Sequence, residues 1–127
     1  LPALESLPDD EKALLAPLPL TVDLTLPGYK AMLDMMGSHG GSATANPHGA
    51  PGDGAANFAR AQAIKDATMA DRILQNWSAG KTLLHLNGDY HSKNFEGIGW
   101  YLRRQKPDLK IVTISSVELE DTGRTTS

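Results

Sequence analysis

The chain has 127 residues and a formal charge of −3, from twelve Lys/Arg against fifteen Asp/Glu. That length suffices for one domain with a single core, and the charge balance leaves no basic footprint for DNA or RNA. Cysteine is absent, which excludes disulfides, a thiolate nucleophile and Cys-ligated zinc, and the apolar runs are too short for a membrane-crossing helix.

With no initiator Met, cationic start or signal-type apolar run, Leu1 reads as an internal or processed start. Five of the eight prolines lie in the first 27 residues, which makes 1–26 a Pro-rich segment. Only Asp9 to Ala16 is free enough for a short helix, its acidic start complementing the helix dipole and Pro17 ending it. Thr21 to Leu26 reads as a short strand or an extended connector. Pro27 opens a second helix, expected to run to Met36 and to end at Gly37. At 100° per residue, Tyr29, Met32, Leu33 and Met36 share one face. Gly37 to Gly54 is rich in Gly and carries His39 and His48. It reads as a solvated, protease-sensitive loop before it reads as a metal site.

Ala55 to about Ala79 reads as the longest helix, with Phe58, Met69, Ile73 and Trp77 on one apolar arc. Gln62 and Asp66 fall inside that arc and Lys65 borders it. Polar groups on a buried face need partners, so this cluster is either a satisfied polar core or a site. Lys81 to Asn87 and Leu109 to Val117 read as buried strands, with an amphipathic helix at Glu96 to Arg104 between them. Strand, helix, strand is a βαβ unit. The expected fold class is therefore α/β, a parallel βαβ-containing sheet with flanking helices. So few strands are expected to be marginal alone, so 27–117 reads as the C-terminal portion of a larger α/β domain. Residues 118–127 form a polar tail.

In open α/β sheets ligands bind beyond the carboxyl ends of strands. Here that place is Asn87 to Lys93, which gathers a carboxylate, phenol, imidazole, hydroxyl and ammonium. Imidazole with carboxylate suits a divalent metal or acid/base work, while His91 and Lys93 equally suit an anionic group such as a propionate. Other motifs fall short. Gly97-Ile98-Gly99 lacks the third glycine of a dinucleotide fingerprint, and Gly80-Lys81-Thr82 enters a strand where a P-loop enters a helix. No Ser sits in a nucleophile elbow.

Two segments together carry a family signature. Ala61-Gln62-Ala63-Ile64-Lys65-Asp66-Ala67-Thr68-Met69-Ala70, followed by Leu86-Asn87-Gly88-Asp89-Tyr90-His91-Ser92, resembles the ChaN-like haem-binding lipoproteins. These belong to a superfamily with TIKI-type metalloproteases and erythromycin esterases. The resemblance spans about 55–117, with Pro27-Gly28-Tyr29 a looser match upstream. The family's Gly-Glu-x-x-His motif is missing from this sequence, and Lys65 stands where the superfamily often has Arg.

What the resemblance implies is haem binding in a bacterial cell envelope, through a lipid anchor and across a homodimer, with a tyrosine as iron ligand. Tyr29, on its Met-rich face, ranks first for that role, then Tyr90, then Tyr101. His91 and Lys93 are the expected haem-propionate contacts, with Gln62 and Asp66 on the neighbouring helix. The competing implication is a metal-dependent hydrolase, in which His91 ligates or orients a metal-bound water and Asp66 supports it.

Overall fold

The computed structural model describes residues 2–38, 53–116 and 118. The described chain is helical: α1 (Pro2–Glu5), α2 (Asp9–Lys12), α3 (Pro27–Ser38), α4 (Asp53–Asn76) and α5 (Ile98–Gln105), with 3₁₀ turns at Asp89–His91 and Lys93–Phe95. None of these helices is long and apolar enough to cross a membrane. Residues 39–52 of the Gly-rich segment, with His39 and His48, lie outside the described residues, as do 117 and the tail positions beyond Glu118, while the ends of that segment belong to α3 and α4.

Proline and acidic residues place the start of α2 as expected, whereas α1 lies in a stretch where no helix was expected. Pro8 precedes α2, whose first turn holds Asp9, Asp10 and Glu11, but α2 stops at Lys12, well short of Ala16. Beyond it the chain packs onto α4: the Ala16 N–H donates to Thr68 Oγ1 at 3.2 Å. Before α3, Asp23 accepts from both the N–H (2.9 Å) and the hydroxyl (2.6 Å) of Thr25, a turn that feeds Pro27 into the helix.

α4 is the central element. Its buried stripe is not the large-residue arc expected from the sequence but a run of small ones: Ala59, Ala63, Ala67 and Ala70, all at most 2% exposed. Methyl groups let neighbouring helices approach closely, so two cores form side by side along one helix. On the N-terminal half, Tyr29 and Met32 of α3 cover Ala59 and Ala63, with Val22, Leu24, Leu26 and Leu33 around them. On the C-terminal half, Ile98, Tyr101 and Leu102 of α5 cover Ala67 and Ala70, joined by Ala16 and flanked by Met69, Ile73 and Leu74. Asp66 falls between the two. Phe58, expected inward, is exposed.

The expected parallel sheet is not formed. Residues 81–88 and 109–116 carry no regular element, and no strand is present among the described residues. Their backbone amides from 82 to 87 and from 110 to 116 enter no backbone hydrogen bond there. A strand exists through its ladder with a neighbour, and these two segments do not pair. They pack by side chain instead: Leu109 and Ile111 rest against the α5 core, while Leu84, Leu86, Val112 and Ile114 remain 82–92% exposed. The aliphatic runs that read as buried strands belong to irregular backbone, and the strand reading is corrected with the sheet.

Candidate functional site

The site grows from Asp66. Its position in the alanine stripe buries it to 1% exposure, the largest side chain so enclosed among the described residues. A carboxylate there needs donors on both oxygens, and it has them. Tyr29, from α3, donates its phenol proton to Oδ2 at 2.5 Å. His91, from the loop before α5, places Nδ1 at 2.5 Å from Oδ1. With Asp66 ionised, Nδ1–H is the donor, and Nε2 is left as the acceptor or ligand atom of the imidazole. Burial raises the Asp66 carboxyl above the usual carboxylate range, and the hydrogen bonds from Tyr29 and His91 oppose it. Burial, and then the bond to Asp66, pushes the Tyr29 phenol far above its ordinary value.

The loop that delivers His91 is built by local bonds. Asn87 Nδ2 donates to the Gly88 carbonyl (2.7 Å) and to Ser92 Oγ (3.0 Å), and the His91 N–H returns to the Gly88 carbonyl at 3.0 Å. Beyond it the backbone enters the left-handed region at Asn94 (φ 57°) and Phe95 (φ 61°), then again at Gly97 (φ 53°). Asn tolerates that region; a Phe rarely adopts it. The Arg103 guanidinium lies over the Phe95 ring, 4.7 Å from its centroid. This turn aims Glu96 back across the chain, where its Oε2 accepts the Gly28 N–H at 2.6 Å. Gly28 is the second residue of α3, so Glu96 satisfies an unpaired helix-start amide and sets a negative charge against the positive end of the dipole.

Two glycines make the approach possible. A Cβ on Gly28 would sit 2.7 Å from Glu96 Oε2, and one on Gly97 would meet the His91 carbonyl and lie 2.9 Å from Asp66 Oδ2. Neither site admits a side chain without displacing the network.

Of the residues expected from sequence, the structure brings Tyr29, Asp66 and His91 together. Tyr90 shares with Tyr29, Glu96 and Gly97 the wall of a cavity of about 10 Å³, room for about one water molecule. Tyr90 as a whole is 64% exposed. Lys93 lies 3.5 Å from Asp89 Oδ2 on the surface, and the other Asp89 oxygen is enclosed with no partner among the described residues. Gln62 stands apart, accepting from Lys65 at 3.2 Å. Tyr101 donates to the Thr21 carbonyl at 2.8 Å, and burial raises its phenol to about 12. Among the described residues no group of three or more His, Asp or Glu converges on a point where a metal would sit. Sequence reading missed Glu96 and Gly28. A remote helix cap leaves no local spacing, although Gly28 directly after Pro27 marked a place where backbone is closely approached.

Compared with known proteins, residues 1–102 match the model of a family described as haem-binding uptake, Tiki superfamily, ChaN. That is most of the chain, and the chain belongs to this family. No curated protein and no solved structure gives a significant match.

Proposed function

We propose, from the chain's membership of the ChaN-like haem-binding uptake family, that it binds haem through Tyr90. The observation that carries this assignment is the difference among three phenols. Tyr29 and Tyr101 are buried and each donates its proton inside the fold; Tyr90 is exposed and makes no hydrogen bond among the described residues. A tyrosinate is an established haem-iron ligand, and it must face the macrocycle. Tyr29, first in the sequence ranking, would have to leave Asp66 and ionise against a strongly raised proton affinity.

The remaining residues fit an anionic porphyrin. Lys93 is half exposed at the solvent side of the loop and supplies a point charge for a propionate. His91, its Nδ1 engaged by Asp66, keeps Nε2 for a propionate or for the Tyr90 phenol. Bound haem supplies the iron; this chain supplies the phenol, the braced imidazole and the cation. A bacterial cell-envelope location, a lipid anchor and a homodimer belong to the same reading, tested by fractionating cells and by sedimentation of the full-length protein.

Titrating haem into the full-length protein is expected to shift the Soret band. Tyr90→Phe should change that band and weaken binding, while Tyr29→Phe should leave the band in place. If Tyr29→Phe changes it and Tyr90→Phe does not, the original ranking stands. Without saturable haem binding, the function itself fails.

A second reading has one observation in its favour. A buried carboxylate on Nδ1 with Nε2 left free is how general-base imidazoles are oriented in hydrolases. Full-length protein assayed on peptide and ester substrates, with and without a chelator, tests it. Turnover abolished by His91→Ala would favour the hydrolase; no turnover, with weaker haem binding in the same variant, would remove it.

A further inference from the structure

The cavity beside Tyr29 holds about one water, far too little for a macrocycle. A second space is of ligand size. Between α4 and residues 83–85 runs a groove of about 300 Å³, at the lower limit of about 300–1,000 Å³ for small-molecule sites. Met69 and Ile73 on α4 and Leu83 and Leu84 opposite form an apolar bed, with Arg72 and His85 at its edges. The Arg72 guanidinium is already committed, donating to the Ala13 carbonyl at 2.7 Å and to Gln75 Oε1 at 2.9 Å, so the groove offers mostly hydrocarbon.

That chemistry decides which part of an amphipathic ligand belongs there. A porphyrin has one edge of methyl and vinyl groups and an opposite edge of two carboxylates. The chain runs on from Leu84 and His85 through Leu86 to Tyr90, and Leu84 and Leu86 present two exposed aliphatic side chains along the way. We infer that the α4/83–85 groove seats the apolar edge of the haem macrocycle, with Leu84 and Leu86 beneath its face and the carboxylate edge toward the Tyr90–Lys93 loop. This rests on the haem-binding reading and adds to it a residue set outside the loop motif.

The test separates seating from iron ligation by using iron-free protoporphyrin, whose fluorescence rises on entering an apolar site. Leu84→Asp charges the groove wall and Asn76→Trp fills its end; both positions are exposed, so circular dichroism and melting should match the parent protein. Each variant is expected to weaken protoporphyrin binding roughly tenfold or more, the scale of one lost aliphatic contact. Tyr90→Phe should alter the haem spectrum, the readout of iron ligation, which protoporphyrin lacks. If the parent protein binds haem but both groove variants bind protoporphyrin normally, the groove assignment is overturned and the function stands. If the parent protein binds neither haem nor protoporphyrin, both fall together.

Discussion

Tyr29 and Asp66 lie 37 residues apart in sequence and share a buried hydrogen bond of 2.5 Å. The bond ties α3 to α4 at the seam between the two cores, and the second oxygen of the same carboxylate ties α4 to the His91 loop. Removing the carboxylate therefore leaves two partners unsatisfied, whereas removing the phenol leaves one acceptor that still holds His91. Asp66→Ala is expected to cost about 3 kcal/mol of stability and Tyr29→Phe about 1 kcal/mol. Urea midpoints of both and of the double variant measure this. The double variant should fall short of the sum, since both changes delete the same bond.

Glycine substitutions should separate backbone strain from crowding. Gly80 (φ 79°) has open space where a Cβ would stand, while Gly97 (φ 53°) meets the His91 carbonyl and Asp66. Gly80→Ala is expected to cost about 1 kcal/mol, and Gly97→Ala about 3 kcal/mol because the His91 loop must also move. Equal losses in thermal melts would show that crowding at Gly97 is relieved at no cost.

The cap on α3 has a local signature. Glu96→Ala should lower stability by about 1 kcal/mol and speed amide exchange at Gly28 and the first turn of α3. Glu96→Gln keeps an acceptor oxygen and should restore most of the protection. Exchange that is unchanged in both variants would mean that water serves the Gly28 amide equally well.

Stability should depend on pH in two windows. The Asp66 carboxyl is raised above 3.8 in the fold, so the native state holds its proton longer than the unfolded chain. Its contribution is complete below pH 3.8 and is lost as pH rises through the raised value. Asp66→Asn should remove that decline. The Tyr29 and Tyr101 phenols are raised above 10.0, and by the same sign their contribution is lost as pH climbs above 10 toward and past about 12. Alkaline unfolding followed by tyrosinate absorbance should therefore come later in Tyr29→Phe, relative to its own stability at neutral pH.

Local signals carried much of this fold. Pro27 starts α3, and the polar residues on the long helix pointed to Asp66 as a buried group in need of partners. The loop after Leu86 did supply His91. What failed was inference about partners at a distance. The aliphatic runs at 81–87 and 109–117 read as buried strands, yet a ladder depends on a neighbouring strand that local composition cannot supply. The alanine stripe went unseen because large apolar residues dominate a search for amphipathic faces, whereas close helix packing selects small ones. Glu96 reaches Gly28 across 68 residues, and no spacing rule foretells such a bond.

The sharing of one carboxylate between Tyr29 and His91 has a consequence for communication within the molecule. A ligand drawn onto the free nitrogen of the imidazole alters the charge that Asp66 presents to the phenol on its other oxygen. α3 is held by that phenol and by Glu96, both anchored around the same loop. A change in the loop is thus transmitted to α3, and the Tyr29 ring resonances would register it.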